Sequence, residues 1–527
     1  MKNSFASRVV GAGAAGVLHL VVTTRALAAA PEDVQTCLDH FDIACAQAAA
    51  AHLDGSPAAV LARARIAFNL GDFPAALAAM ESVAPTFQKE PGFVRELAHV
   101  RATADATDGF AVERRKDVEI RYQPGLDAVL LDEAFETLQA THDRVGTMLG
   151  GAPPGGVRME LYPSAQRFIA ASGLPAESVR TTGVIALSKW TRLLVSSPRA
   201  LGRGYAWKDT IAHEYVHYVV AWRTQNRTPV WLQEGIARSH ESLWHLDNPP
   251  PLQPYQQSLL ATALAGDTLV PLQKMHPSMA FLDSADEAAL AFAQVSTMIE
   301  VLRENSGKDA VSRVLDSVRR GTDALQAVAD VGAAGDKAAF MATWKQKLSA
   351  MNLVSRKLNA MPTVLGPAAD DYGIDPALAA RQDLAGHARL GELLMEAKRP
   401  DAALVEFSRA VATDEPPGPI LAAHSSDALR ALHRDAEAQA ILERSVTDYP
   451  EYAQTRKRLA SLYLRGGRTA DALTQYRAGV DVNPFDPEMQ AALADLYSAA
   501  NQAELATRHA RYRRLLQSGG LEGGEIR

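Results

Sequence analysis

The pentad His213-Glu214-Tyr215-Val216-His217, set inside the apolar run Ile211–Val220, constrains this chain more than any other feature. Apolar residues at that density predict a buried helix, and on a helix positions i and i+4 share one face. Two imidazoles one turn apart can therefore hold one metal ion. The glutamate between them stands beside the open coordination position. The expected chemistry is hydrolysis assisted by one zinc ion per chain, with Glu214 taking a proton from water.

The rest of the chain sets the frame. At 527 residues it exceeds one domain. Hydrophobic content of 47% and charged content of 22% fit globular protein. A net charge of −7 supplies no basic surface for nucleic acid. Lys2 and Arg8, the apolar stretch Val9–Val22 and Ala26-Leu27-Ala28 predict a signal peptide over 1–28. The mature protein is then expected to be periplasmic or secreted, an uncleaved amphipathic start being the alternative. No later stretch reaches membrane-spanning length, so no stable span is expected after signal removal. Cys37 and Cys45 can bridge only across a turn, and His40–Ile43 is the place for it. Two buried thiols in a helix pair are the alternative.

The C-terminal third is periodic. Ala403, Ala438, Ala472 and Ala506 recur every 34 or 35 residues, each just after a polar break and between apolar helical segments. Pro416, Pro450 and Pro484 close units. This resembles the tetratricopeptide repeat, a helix-turn-helix unit in which a small alanine lets the paired helices approach. Residues 381–518 are read as such repeats, with a flexible tail at 519–527. A related pattern, Gly71, Phe73 and Ala76 between two apolar segments, places a second helical repeat region at 31–112. Such units stack on one another or on a neighbouring domain, and they imply a protein partner.

Between the arrays, residues 117–350 have another character, and 351–380 read as a linker. Val118–Tyr122 and Val157–Tyr162 read as strands. Residues 183–187 and 192–196 read as a hairpin around Ser188–Thr191. Seventeen residues after His217 comes Glu234, within Trp231-Leu232-Gln233-Glu234-Gly235-Ile236-Ala237. H-E-x-x-H followed by W-L-x-E-G-x-A resembles the gluzincin metallopeptidases of the peptidase MA-like group, as does Ala291-Phe292-Ala293-Gln294 downstream. The resemblance implies an α+β, thermolysin-like domain flanked by all-α repeats. It implies His213, His217 and Glu234 as zinc ligands, Glu214 as general base, and a peptide or protein substrate.

Around that core the reading is less uniform. Asp209, four residues before His213, is expected either to orient a ligand histidine or to sit as a helix N-terminal carboxylate. Thermolysin-like members carry an aspartate four residues past the third ligand, but here that position is Arg238, and Glu241 is the substitute in view. Phe292 stands where the family tends to carry a donor tyrosine. Tyr255, His240 and His245 are the other candidate donors, each more often a plain structural residue. Trp222 and Trp231 read as core packing. The strand Arg192–Ser196 is expected at the sheet edge beside the zinc, where an extended peptide can pair with it. No amine-anchoring G-x-M-E-N segment precedes the helix, which favours an endopeptidase. Two other readings remain: a catalytically inactive scaffold acting through its repeats, and zinc hydrolysis of a non-peptide amide.

Overall fold

The computed structural model describes residues 30–519 except 178, 180–182, 251, 277–278, 280–281, 359–360, 362–374, 380 and 412–414. The signal-peptide reading of 1–28, much of the 351–380 linker, and the tail from 520 lie outside the described residues.

Five helices open the chain: Pro31–Asp39, Ile43–Ala50, Pro57–Asn69, Phe73–Phe87 and Pro91–Ala106. Their starts are written locally. Asp42, Ser56 and Asp72 each accept a backbone N–H three residues on, and proline stands in the first turn after Ser56 and Asp72. The turn at 40–42 reverses the chain and brings the Cα atoms of Cys37 and Cys45 to 5.6 Å, and the two are disulfide-bonded.

A five-stranded sheet follows, comprising β1 (Ala111–Arg115), β2 (Val118–Tyr122), β3 (Val157–Tyr162), β4 (Ala186–Lys189) and β5 (Arg192–Ser196), in the order β1-β2-β3-β5-β4. β2, β3 and β5 are parallel; β1 and β4 pair antiparallel at the two edges. The sequence expectation that Arg192–Ser196 is the edge is therefore corrected. The hairpin folds β4 outside β5, so β5 pairs on both sides, is buried at all five residues, and leaves β4 as the edge. The hairpin turns on Trp190 and Thr191, both at positive φ (51° and 57°). Neither is a glycine, so the turn depends on contacts that hold it.

Those contacts come from the N-terminal helices. Thr191 Oγ1 donates to the Asn69 carbonyl (3.2 Å) and Arg192 Nη1 to the Phe68 carbonyl. The Trp190 ring meets Phe68 and His99, and it packs against both the N-terminal and the sheet core. Arg121 Nη1 donates to the Gly71 carbonyl (2.6 Å). Gly71 has φ +80°, and a Cβ there would lie 2.9 Å from Arg121 Nε, so glycine is required.

Two helices carry the pentad and the distal glutamate. The motif helix, Trp207–Thr224, buries Ile211, Ala212, Tyr215, Val216, Val219 and Val220 in the main core. The glutamate helix, Val230–His240, lies against the long helix Ala285–Ser306. A Cβ on Gly235 would stand 2.7 Å from the Val295 carbonyl oxygen. That close approach sets where the adjacent Glu234 points.

The C-terminal part is four helix pairs: Gln382–Glu396 with Pro400–Arg409, Pro419–Ala431 with Asp435–Asp448, Ala453–Arg465 with Thr469–Val480, and Pro487–Ala499 with Ala503–Gln517. Ala403, Ala438 and Ala472 are fully buried between paired helices; Ala506 is partly buried. The array folds back onto the sheet domain. Tyr512 and Leu515 of its last helix join the main core. Lys208, in the first turn of the motif helix, pairs with Glu133 (3.0 Å) and with Asp481 of the array (2.5 Å). Among the described residues no helix is long and apolar enough to cross a membrane.

Candidate metal centre

The motif helix presents His213 and His217 from consecutive turns, and the glutamate helix brings Glu234 across to them. His213 Nε2 and His217 Nε2 are 3.1 Å apart, and Glu234 Oε2 is 3.4 Å from each. One ligand atom from each of the three residues lies within 4.8 Å of the others. Ligands held tetrahedrally at the usual zinc distances stand about 3.3 Å apart, so the observed triangle fits one face of such a site. Two neutral imidazoles with facing acceptors at 3.1 Å also repel unless a cation or a proton lies between them. The donor set, two imidazoles and one carboxylate, is the chemistry that zinc takes with a position left open.

The surrounding charges agree with a cation at this point. Burial disfavours the protonated form of His213, but its hydrogen bonds to the Glu234 and Glu241 carboxylates outweigh it and raise its pKa to about 9. Burial pushes Glu234 up, yet His217 and His213 more than offset this and hold it well below the usual carboxylate range. Glu214 is 7% exposed, and burial raises its pKa against the pull of His217 and His213. A carboxylate standing between the two histidines, beside the open face of the triad, is placed to accept and return a proton.

The supporting groups differ from one sequence expectation. Asp209 does not orient a ligand histidine. Its carboxylate accepts from Ser242 Oγ (2.7 Å) and Trp244 Nε1 (2.8 Å), with His245 Nε2 at 3.2 Å. The outer nitrogen of His213 faces the glutamate helix instead, where Glu241 Oε2 lies 2.8 Å from Nδ1. Glu241 stands seven residues after Glu234, two helical turns along the same face, and that spacing is the signal that singles it out. Arg238, between them, donates through Nη1 to Glu241 Oε1 and Oε2 (3.1 and 3.3 Å) and lies over the Phe292 ring. Trp231 is buried, as the sequence indicated. Tyr205 was not singled out by sequence. It is buried in the loop before the motif helix, donates to the Ser196 carbonyl, and its pKa is raised by burial and by the Glu214 charge.

Comparison with known proteins divides along the same lines. Residues 149–350 match the Peptidase MA superfamily. Residues 429–496 match the tetratricopeptide repeat. Over 110 residues the chain is 33% identical to the Hsp70-Hsp90 organizing protein of Triticum aestivum, covering 21% of this chain and 19% of that protein. The chain thus spans about a fifth of that relative's length. Among solved structures, yeast LTA4 hydrolase in complex with bestatin is 11% identical, with 78% of this chain and 67% of that one covered and a TM-score of 0.29. YrrB, described as a TPR protein with an unusual peptide-binding site, is 13% identical, with 42% and 92% covered and a TM-score of 0.23. The chain therefore carries a Peptidase MA superfamily domain at 149–350 joined to a tetratricopeptide repeat region at 429–496.

Proposed function

We propose that the protein is an exported zinc-dependent metallopeptidase whose helical repeats recruit a protein substrate or partner. The observation that carries this reading is the convergence of His213, His217 and Glu234 from two helices, with the raised carboxyl of Glu214 alongside. A zinc ion held by those three residues would acidify a water and polarise a carbonyl.

The chain's own groups account for the remaining steps. The outer edge of β4, a half-buried strand beside the motif helix, pairs with no further strand among the described residues and could take an extended peptide. Glu214 takes the proton of the attacking water and passes it to the leaving nitrogen as the C–N bond breaks. Glu241 fixes His213 through its Nδ1. An endopeptidase is favoured, since no amine-anchoring segment precedes the helix. Phe292 is the one observation favouring the inactive scaffold, because its ring offers no hydrogen-bond donor.

Glu214→Gln tests the reading. It should keep the zinc and lose about 10²- to 10⁴-fold in cleavage of a casein digest or peptide library. Equal behaviour of variant and wild type on every peptide would favour the scaffold.

A further inference from the structure

When water adds to an amide, negative charge collects on the former carbonyl oxygen. A hydrolase gains most from a donor already aimed at that oxygen. The neutral donors singled out around this site are committed elsewhere. Tyr205 donates to the Ser196 carbonyl, and Tyr255 to Asp286. His240 is 1% exposed; its Nδ1 donates to the Ile236 carbonyl at 2.9 Å, which leaves the enclosed Nε2 of the neutral ring as an acceptor and not a donor. His245 lies against Asp209.

Arg238 is different. It follows Glu234 by one helical turn, so both project from the same face of the glutamate helix. Its Nη1 is anchored on Glu241, which in turn holds His213, so the guanidinium is tied to the ligand cluster. Its Cζ stands 5.3 Å from the centre of the Phe292 ring, within reach of a cation–π contact. Its side chain is 39% exposed, and Nε and Nη2 donate to no group among the described residues. Its charge acts on both Glu214 and Glu234. An arginine anchored by one nitrogen, with two more left free, is a preorganised donor.

We propose that Arg238 is the electrophilic donor of this site, its free nitrogens hydrogen-bonding the substrate oxygen that gains charge as water adds. This rests on the peptidase reading above. The water oxygen bonds to the amide carbon, its proton goes to Glu214, and the carbonyl π pair moves onto the oxygen facing Arg238. On collapse that pair returns, the C–N bond breaks, and the nitrogen takes the proton from Glu214. A carboxylic acid and an amine result, and Arg238 gives up no proton.

The test uses the full zinc-loaded chain and Arg238→Gln, with three readouts: zinc content, peptide kcat/KM, and Kd for a phosphinate peptide that carries the charged tetrahedral group. Zinc should stay at the wild-type level. Both kcat/KM and phosphinate affinity should fall about 10²- to 10³-fold. Adding Phe292→Tyr, which supplies a hydroxyl beside the vacated place, should recover at least about tenfold of the loss. Wild-type phosphinate affinity in Arg238→Gln overturns the proposal. Loss of zinc in that variant also overturns it, because Arg238 would then serve only to hold Glu241. A wild type that binds zinc yet neither cleaves peptides nor binds the phosphinate overturns the peptidase reading, and this one with it.

Discussion

Two helical arrays grip the same sheet domain, and they do so by different physics. The N-terminal array closes over a buried charge. Arg192 of β5 is fully enclosed, pairs with Glu160 at 3.3 Å, and lies 4.7 Å from the ring centres of both Phe68 and Phe73. The C-terminal array is held largely by ion pairs at its rim, among them Lys208–Asp481, Arg508–Glu136 and Arg511–Asp132, around the apolar anchor of Tyr512 and Leu515. It also leaves a cavity of about 380 Å³ against the sheet domain, lined by Lys208, Trp244, Arg477 and Asp481. An interface closed over an enclosed guanidinium is little screened by salt. One whose ion pairs each keep a partner about half exposed is adjustable by salt.

The sharpest way to break this contrast is Arg192→Ala. It leaves Glu160 buried without its paired guanidinium, with the Tyr162 hydroxyl still donating to it at 2.7 Å. We expect a loss of about 3–5 kcal/mol in urea unfolding. The double change Arg192→Met with Glu160→Gln should recover most of it, since it removes both charges. Next in size is reduction of Cys37–Cys45. Opening that short loop should cost the N-terminal array about 2–3 kcal/mol. Hydrogen exchange should show the effect in residues 31–106 before it reaches β3 or the motif helix. Smallest is Asp481→Asn, where one partner is about half exposed. A change of at most about 1 kcal/mol is expected. High salt should mimic it at the C-terminal interface and leave the N-terminal one unmoved. A salt response of equal size at both would erase the distinction.

The contrast also explains what could be read in advance. The candidate metal group was legible because the spacing of His213 and His217 is local to a helix, and Glu234 sits in a motif of its own. The C-terminal repeat was legible from alanines at the crossing points of paired helices. A hairpin was legible here, but its first strand runs over Ala186–Lys189 and not 183–187, so the turn is only Trp190–Thr191, and strand order was not legible. Whether β5 lies inside or outside β4 depends on which strand meets β3, and no local pattern records that. β1 escaped notice because Ala111–Arg115 is mostly charged and forms a half-exposed edge. Arg192 reads as an ordinary polar residue at a strand start. Its burial follows only from docking against helices more than a hundred residues earlier. Asp209 was readable as a histidine support or as a helix N-terminal carboxylate; it stands in the first turn of the motif helix, where Ser242 and Trp244, from a loop beyond the next helix, donate to it.

The central claim is that three side chains from two helices share one cation. It is tested most directly by titrating zinc into metal-free protein while counting ions and protons. Without metal, Glu234 and Glu241 overcome burial and raise His213 to about 9, so at pH 7 its imidazole carries a proton. Metal must displace that proton. The account predicts one zinc per chain and release of about one proton at pH 7, with release fading and affinity levelling off as pH rises past about 9. Glu234→Ala should lower the affinity steeply. Zinc binding without proton release, or binding that is indifferent to Glu234→Ala, would contradict it.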